Sequence, residues 1–246
     1  MRFFLFSDIH SNKEALDIVL KFAAQQDIDH YLFLGDILGY GASPNEVLEH
    51  MSSFYPITKI RGNHDKAICD QNPIESFNPI AAAAIQWTRT ALNKKNQAFL
   101  KELKKGPVVV DKLLTICHGA PFDEDFYIFG EFDASEAFLH FKTTVCFFGH
   151  THIPYVYTEK NHIVEGSHIS GDTITISLKK GTRYLINPGS VGQPRDRNNK
   201  TSCAVYDTDK NKITFFRFKY DIEAAQKKIL NASLPEALAH RLSIGI

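Results

Sequence analysis

The chain has 246 residues, 43% of them hydrophobic, which suits one sizeable core and a single domain over residues 1–246. Its 28 Lys and Arg balance its 28 Asp and Glu, so the formal net charge is zero and the cationic excess that would hold long nucleic acid is missing. The apolar start Met1–Phe6 is too short for a signal-peptide core and nothing approaches a membrane span, so a cytoplasmic protein that engages no membrane is expected.

Phe3–Phe6 is apolar throughout and predicts a buried first strand. Ser11 or Asn12 then caps a helix whose apolar stripe is Ala15, Leu16, Val19, Leu20 and Ala23. Tyr31–Leu34 is a second buried strand stopped by Gly35. Ser43-Pro44 starts a short helix over 45–51, with Ser as cap and Pro at the first helical position. Ile57–Ile60 is a third strand, and the strand–helix alternation argues for parallel pairing. Residues 66–105 turn helical, with an Ala-rich stretch over 80–92. Val108–Val110 and Leu113–Cys117 read as a hairpin across Asp111-Lys112. A helix over 135–141 and a strand over 145–148 follow. Ile174, Ile176 and Leu178 alternate with polar residues as a half-buried strand, inside a strand-rich segment at 159–182. Strands over 183–186, 203–206 and 213–218 precede a helical tail over 222–242 broken at Pro235. Two stacked sheets with helices outside are expected. Cys69, Cys117, Cys146 and Cys203 form no CxxC pair and read as reduced thiols.

Five short motifs follow apolar runs: Asp8-Ile9-His10, Gly35-Asp36, Gly62-Asn63-His64-Asp65, His118-Gly119 and Gly149-His150-Thr151-His152. Singly, each is common in unrelated chains. As an ordered set they deliver oxygen and imidazole donors to one sheet edge, where loops from parallel strands converge. Such donors without sulfur suit Mn, Fe, Zn, Co or Ni, and a pair of divalent ions attacks phosphate esters.

This ordered set resembles the calcineurin-like metallophosphoesterase superfamily over nearly the whole chain. The runs Gly35–Gly41 and Asn187–Arg195, with the helical tail, are similar to a bacterial and archaeal subgroup of small phosphodiesterases that includes diadenosine tetraphosphatase-like proteins. The resemblance implies an α/β fold, a four-layer α/β/β/α sandwich with two mixed β-sheets. It also implies two divalent metals, with Mn the leading choice. Asp8, His10 and His152 would hold the first, Asn63, His118 and His150 the second, and Asp36 would bridge them. A hydroxide between the metals would attack phosphorus while His64 donates a proton or stabilises charge.

Around that set, Asp65 is a candidate to fix the His64 tautomer or to serve the turn. Arg61 is a candidate for phosphate contact or for a salt bridge. Tyr40 is placed to close over substrate or to pack. Asn187, Gly189 and Ser190 end a strand with backbone amides that suit an anion or a structural turn. Trp87 and Arg89 are candidates for a base-binding wall, against the alternative of a helix packed on the core. His162 and His168 reach the site only if 159–182 folds back. The expected partner is a small phosphoester or nucleotide, with diadenosine tetraphosphate the specific choice. The oligomeric state is open. A serine/threonine protein phosphatase and an inactive metal-binding scaffold are the competing functions.

Overall fold

The computed structural model describes residues 1–70, 74 and 76–246. Residues 71–73 and 75, inside the stretch predicted to be helical, lie outside the described residues. The chain runs β1 (Arg2–Phe6), α1 (Lys13–Ala23), β2 (His30–Phe33), α2 (Pro44–Ser53), β3 (Ile57–Lys59), α3 (Asn63–Cys69), α4 (Pro79–Ala91), α5 (Lys94–Lys101), β4 (Val108–Val110), β5 (Leu114–Ile116), α6 (Glu131–Leu139), β6 (Val145–Phe147), β7 (Tyr155–Lys160), β8 (Ile163–His168), β9 (Thr173–Ser177), β10 (Arg183–Asn187), β11 (Thr201–Asp207), β12 (Lys212–Phe218), α7 (Ile222–Asn231) and α8 (Glu236–Ile244). None of these helices is long and apolar enough to cross a membrane.

The strands form two sheets, ordered β3-β2-β1-β11-β12-β9 and β4-β5-β6-β10-β7-β8. In the first, β1, β2 and β3 run parallel; in the second, β5, β6 and β10 do. Antiparallel neighbours complete both, so each sheet is mixed. Alternation along β1 shows how the layers stack. Phe3 and Leu5 join Ile116, Phe147 and Ile186 between the sheets, while Phe4 and Phe6 face Leu16, Val19 and Leu48 under the helices. On the outer face of the second sheet, Phe138 of α6 packs on Cys146 and Leu185. The result is the expected α/β/β/α sandwich.

Local chemistry explains where the boundaries fall. Asn12, not Ser11, caps α1, accepting the Ala15 N–H at 3.1 Å. Helix α6 begins at Glu131, earlier than expected, because the Asp133 carboxylate accepts the N–H groups of Phe129 and Gly130. Strands β7 and β8 pair as a hairpin that polar residues such as Thr158, Glu159, Glu165 and Ser167 concealed, since β8 is an edge strand with a largely exposed face. The 159–182 segment divides between the sheets: β8 edges the second, and β9 crosses to edge the first. All four cysteines are free thiols; Cys117, Cys146 and Cys203 are buried.

Candidate metal centre

The carboxyl ends of β1, β2, β3, β5, β6 and β10 meet along one rim, and the five motifs leave from five of them. Asp8 follows β1, Asp36 follows β2, and Asn63 and His64 open α3 just beyond β3. His118 follows β5; His150 and His152 follow β6. Their backbones are bent hard to reach inward. Asp8, His10, Asp36, His150 and His152 all have positive φ, between 48° and 66°. For residues with a β-carbon that conformation costs on the order of 1–3 kcal/mol each and persists only where surroundings enforce it.

The side chains meet in two groups that share Asp36. Donor atoms of Asp8, His10, Asp36 and His152 lie within 4.8 Å of one another, as do those of Asp36, His118 and His150. The Asn63 Oδ1 sits 3.1 Å from His118 Nε2 and so joins the second group. Asp36 Oδ2 lies 3.5 Å from His10 Nε2 and 3.4 Å from His118 Nε2. Every one of these residues is buried.

Each imidazole is aimed by a bond to the main chain. His10 Nδ1 meets the Leu38 carbonyl at 2.9 Å, His118 Nδ1 that of Leu34 at 2.9 Å, and His152 Nδ1 that of Gln193 at 2.6 Å. His150 turns the other way, its Nε2 3.2 Å from the Asp125 carbonyl. A nitrogen facing a carbonyl carries the proton, so the remaining nitrogen presents a lone pair inward. Those lone pairs converge: His10 Nε2 is 3.1 Å from His152 Nε2, and His150 Nδ1 is 3.2 Å from His118 Nε2.

Electrostatics in the metal-free chain agree for three of the four imidazoles, while His118 keeps a second proton against Asp36 that a bound cation would have to displace. Burial drives His10, His150 and His152 well below their ordinary range, leaving them neutral. Burial also pushes Asp8 up to about 7. Burial would depress His118, yet the Asp36 carboxylate beside it holds it up at about 10. Burial works to raise Asp36, and His118 outweighs it, so Asp36 stays ionised. Asp36 Oδ2 is nonetheless buried with no hydrogen-bond partner, a costly arrangement that bound cations would relieve. The donor set fits two divalent ions.

Glycine is required where α3 approaches the shared carboxylate. A β-carbon on Gly62 would stand 2.1 Å from Asp36 Oδ1 and 2.5 Å from the Asp36 nitrogen. Gly62→Ala is therefore expected to displace Asp36, costing about 1–3 kcal/mol by overpacking and lowering Tm by about 2–10 °C. Bound metal, measured by elemental analysis, should fall with it. Unchanged Tm and metal content would contradict this packing.

The remaining candidates divide. His64 sits in the centre, its Nε2 3.1 Å from the Tyr40 hydroxyl and its Nδ1 buried without a partner; burial pushes it down to about 4. Tyr40 lines the same cavity, about 400 Å³ in volume, together with Asn63, Phe77, Tyr127 and His150. Asp65 does not touch the His64 imidazole. Its two oxygens accept the N–H groups of Ile37, Leu38 and Gly62, so it braces the Asp36 loop instead of a tautomer. Arg61 is bound through two nitrogens to buried Glu124.

Asn187, Gly189 and Ser190 are not an anion nest. Asn187 and Ser190 are fully buried; Asn187 donates to the Gly149 carbonyl and Thr151 Oγ1, and its own oxygen accepts the Gly189 N–H. Ser190 Oγ donates to the Asp8 carbonyl. This loop ties the first and last ligand loops together and offers substrate nothing. Trp87 packs against the helical core instead of lining the cavity. Arg89 donates to the carbonyls of Ala67 and Asp70 at the end of α3. His162 is exposed at the β7–β8 turn, while His168 reaches a neighbouring cavity.

Sequence reasoning passed over two residues. Tyr127 lies with its ring centroid 3.8 Å from that of His150. Arg195 donates to the Tyr40 hydroxyl at 3.3 Å and to Gln193 Oε1 at 3.0 Å. Arg195 closes a motif that was already visible; Tyr127 sits in an irregular loop with no pattern to mark it.

Comparisons with known proteins place this geometry. A family model described as the calcineurin-like phosphoesterase superfamily domain matches residues 1–211. An uncharacterized protein of Methanocaldococcus jannaschii is 37% identical over 97% of this chain and 96% of its own length. A metallophosphoesterase from Sphaerobacter thermophilus superposes with a TM-score of 0.89 at 36% identity, covering 100% of this chain and 99% of that one. A Pyrococcus horikoshii protein shares the fold with a TM-score of 0.80 at 19% identity, covering 100% of this chain and 98% of its own.

Proposed function

Because this chain belongs to the calcineurin-like phosphoesterase superfamily and is a metal-dependent phosphoric ester hydrolase, we propose that it cleaves small phosphodiesters or nucleotide phosphoanhydrides. Two divalent ions, Mn by preference, supply Lewis acidity to the phosphoryl oxygens and make water acidic enough to attack at neutral pH when bound. In this reading Asp8, His10 and His152 hold one ion, Asn63, His118 and His150 hold the other, and Asp36 serves both.

The chain's own groups carry the rest. The carbonyls behind the four ligand imidazoles keep their free nitrogens pointing inward, so the site needs no rearrangement. His64 Nε2 is the atom that passes a proton to the departing oxygen. An anionic phosphoryl group beside the ring opposes the burial that keeps it neutral. The Tyr40 hydroxyl, 3.1 Å away, orients that nitrogen and is held in turn by Arg195.

The observation that carries the substrate class is the cavity of about 400 Å³ beside the second ligand group, walled by Tyr40, Phe77 and Tyr127. Its size suits a small molecule. Its rings suit stacking on a nucleobase, usually worth about 1–3 kcal/mol. Tyr127→Ala is expected to raise KM for a nucleotide about 5- to 100-fold, by that stacking energy, and to spare bis-p-nitrophenyl phosphate. The test is a hydrolysis panel with added Mn: bis-p-nitrophenyl phosphate, p-nitrophenyl phosphate, diadenosine tetraphosphate, cyclic nucleotides, nucleoside triphosphates and phosphopeptides. Turnover of phosphopeptides alone, or equal effects of Tyr127→Ala on both substrate types, would overturn the reading.

A further inference from the structure

Three of the four ligand imidazoles lean on carbonyls of Leu34, Leu38 and Gln193, and all three of those residues are buried. His150 leans on something different. Its Nε2 donates to the Asp125 carbonyl at 3.2 Å, and its ring lies on Tyr127 with centroids 3.8 Å apart. Asp125 and Tyr127 both belong to the irregular loop between His118 and α6. That loop curls on itself near its start, where Ala120 and Asp123 exchange N–H to carbonyl bonds at 2.9 and 3.1 Å. A β-carbon on Gly119 would stand 2.7 Å from the Glu124 and Phe126 carbonyls, so the curl is tight.

Charge fastens the loop to α3. Arg61 donates through Nε and Nη2 to the Glu124 carboxylate at 3.2 and 3.1 Å. Lys66 Nζ reaches the same carboxylate at 3.2 Å and that of Asp125 at 2.5 Å. The Glu124 side chain is 5% exposed, whereas those of Lys66 and Asp125 are 27% and 52% exposed. Among the described residues, no other hydrogen bond or ion pair joins this loop to Arg61 or to α3. Arg61 and Lys66 stand on either side of Asn63 in the chain. The four charges, two of each sign, therefore tie the segment that presents Asn63 to the loop that aims His150. His118 stands at the root of that loop, and all three side chains belong to the second ligand group.

Resting on the two-metal reading above, we propose that Glu124 and Lys66 are positioning residues for the second metal alone. They form an ionic latch that fixes the Asp125 carbonyl, and that carbonyl holds His150 with Nδ1 facing inward. With the latch undone, nothing but the Tyr127 ring aims the imidazole, and the second ion is held more weakly. Asp8, His10 and His152 keep their own supports, so the first ion is unaffected. The two sites then differ in kind: buried backbone shapes the first, and a partly exposed charge network shapes the second. The first ion is retained and the second is the one that exchanges.

The test is a titration of the full chain with Mn, followed by electron paramagnetic resonance, in which a coupled pair of ions is distinguished from an isolated one. Glu124→Gln and Lys66→Met should each leave the first affinity as it is and weaken the second about 10- to 100-fold, the usual scale for groups that orient metal ligands. The two variants change the local charge in opposite directions. By field alone, Glu124→Gln would weaken a cation site and Lys66→Met would tighten it; a fall in both reports position. Asp125→Asn keeps its carbonyl and lies at an exposed site, so it guards against a variant that does not fold, and it should shift the second affinity the same way. Glu159→Gln, which breaks the Arg183 pair on β7, is the control and should keep both ions. A second site left unchanged or tightened by Lys66→Met, or equal losses at both sites, would overturn the latch and leave the two-metal reading intact. A wild-type chain that binds one ion would overturn both.

Discussion

Asp36→Asn is expected to strip metal from both ligand groups and to abolish turnover with it. The replacement is close to isosteric, and its oxygen can still accept the His64 N–H that Asp36 Oδ1 accepts at 2.9 Å. The fold should therefore survive. What changes is the other atom. Asp36 Oδ2 faces the inward nitrogens of His10 and His118. An amide there supplies donors where cations need an acceptor, and it removes the negative charge both ions would share. Breaking such a buried charge cluster costs about 3–5 kcal/mol, which is about 10²–10⁴-fold in metal affinity. Elemental analysis and hydrolysis of bis-p-nitrophenyl phosphate on the same sample measure it. Two tightly held ions at the wild-type rate would show that Asp36 is not shared.

His64→Ala is expected to separate metal binding from catalysis. His64 neighbours Asn63, but its imidazole turns toward Tyr40, not into either ligand group. The variant should keep both ions. It should lose about 10²–10⁴-fold in kcat, the usual scale of general acid help. That loss should shrink for nitrophenyl esters, whose leaving group departs without a proton, and stay large for alkyl or nucleoside leaving groups. An equal loss for both kinds of ester would assign His64 to charge stabilisation; loss of metal would assign it to the ligand shell.

The sequence was most informative where one residue's chemistry sufficed. Asp8, His10, Asp36, Asn63, His118, His150 and His152 could be singled out because donors recur after apolar runs, and those runs are parallel strands whose ends converge. The layer order followed from alternation such as Phe3/Phe4/Leu5/Phe6. The sequence left two readings open where a polar group's partner is backbone. Asp65 satisfies the N–H groups of Ile37, Leu38 and Gly62, and Asn187 holds the ligand loop at Gly149 and Thr151. No motif announces such bonds, and they decide for the structural alternative at both positions, the turn role for Asp65 and the structural turn for Asn187. Arg61 took the salt bridge that was one of its two readings, with a side-chain partner, Glu124, sixty-three positions away that no local pattern marks. The β7–β8 hairpin was hidden because its exposed residues break the alternation on which strand reading relies. Trp87 took the core-packing alternative on α4, and Tyr127, in an irregular loop, lines the cavity in its place. The positive φ values at Asp8, His10, Asp36, His150 and His152 lie where local propensity and the site disagree most.

The central claim is that one chain holds two metal ions and that Asp36 belongs to both. Crystals of the Mn-loaded protein, measured with anomalous scattering at the metal edge, test it directly. The account predicts two peaks about 3.5–4 Å apart, one among Asp8, His10 and His152, the other among Asn63, His118 and His150, each within bonding distance of Asp36. A single peak, or two peaks of which only one touches Asp36, would contradict it.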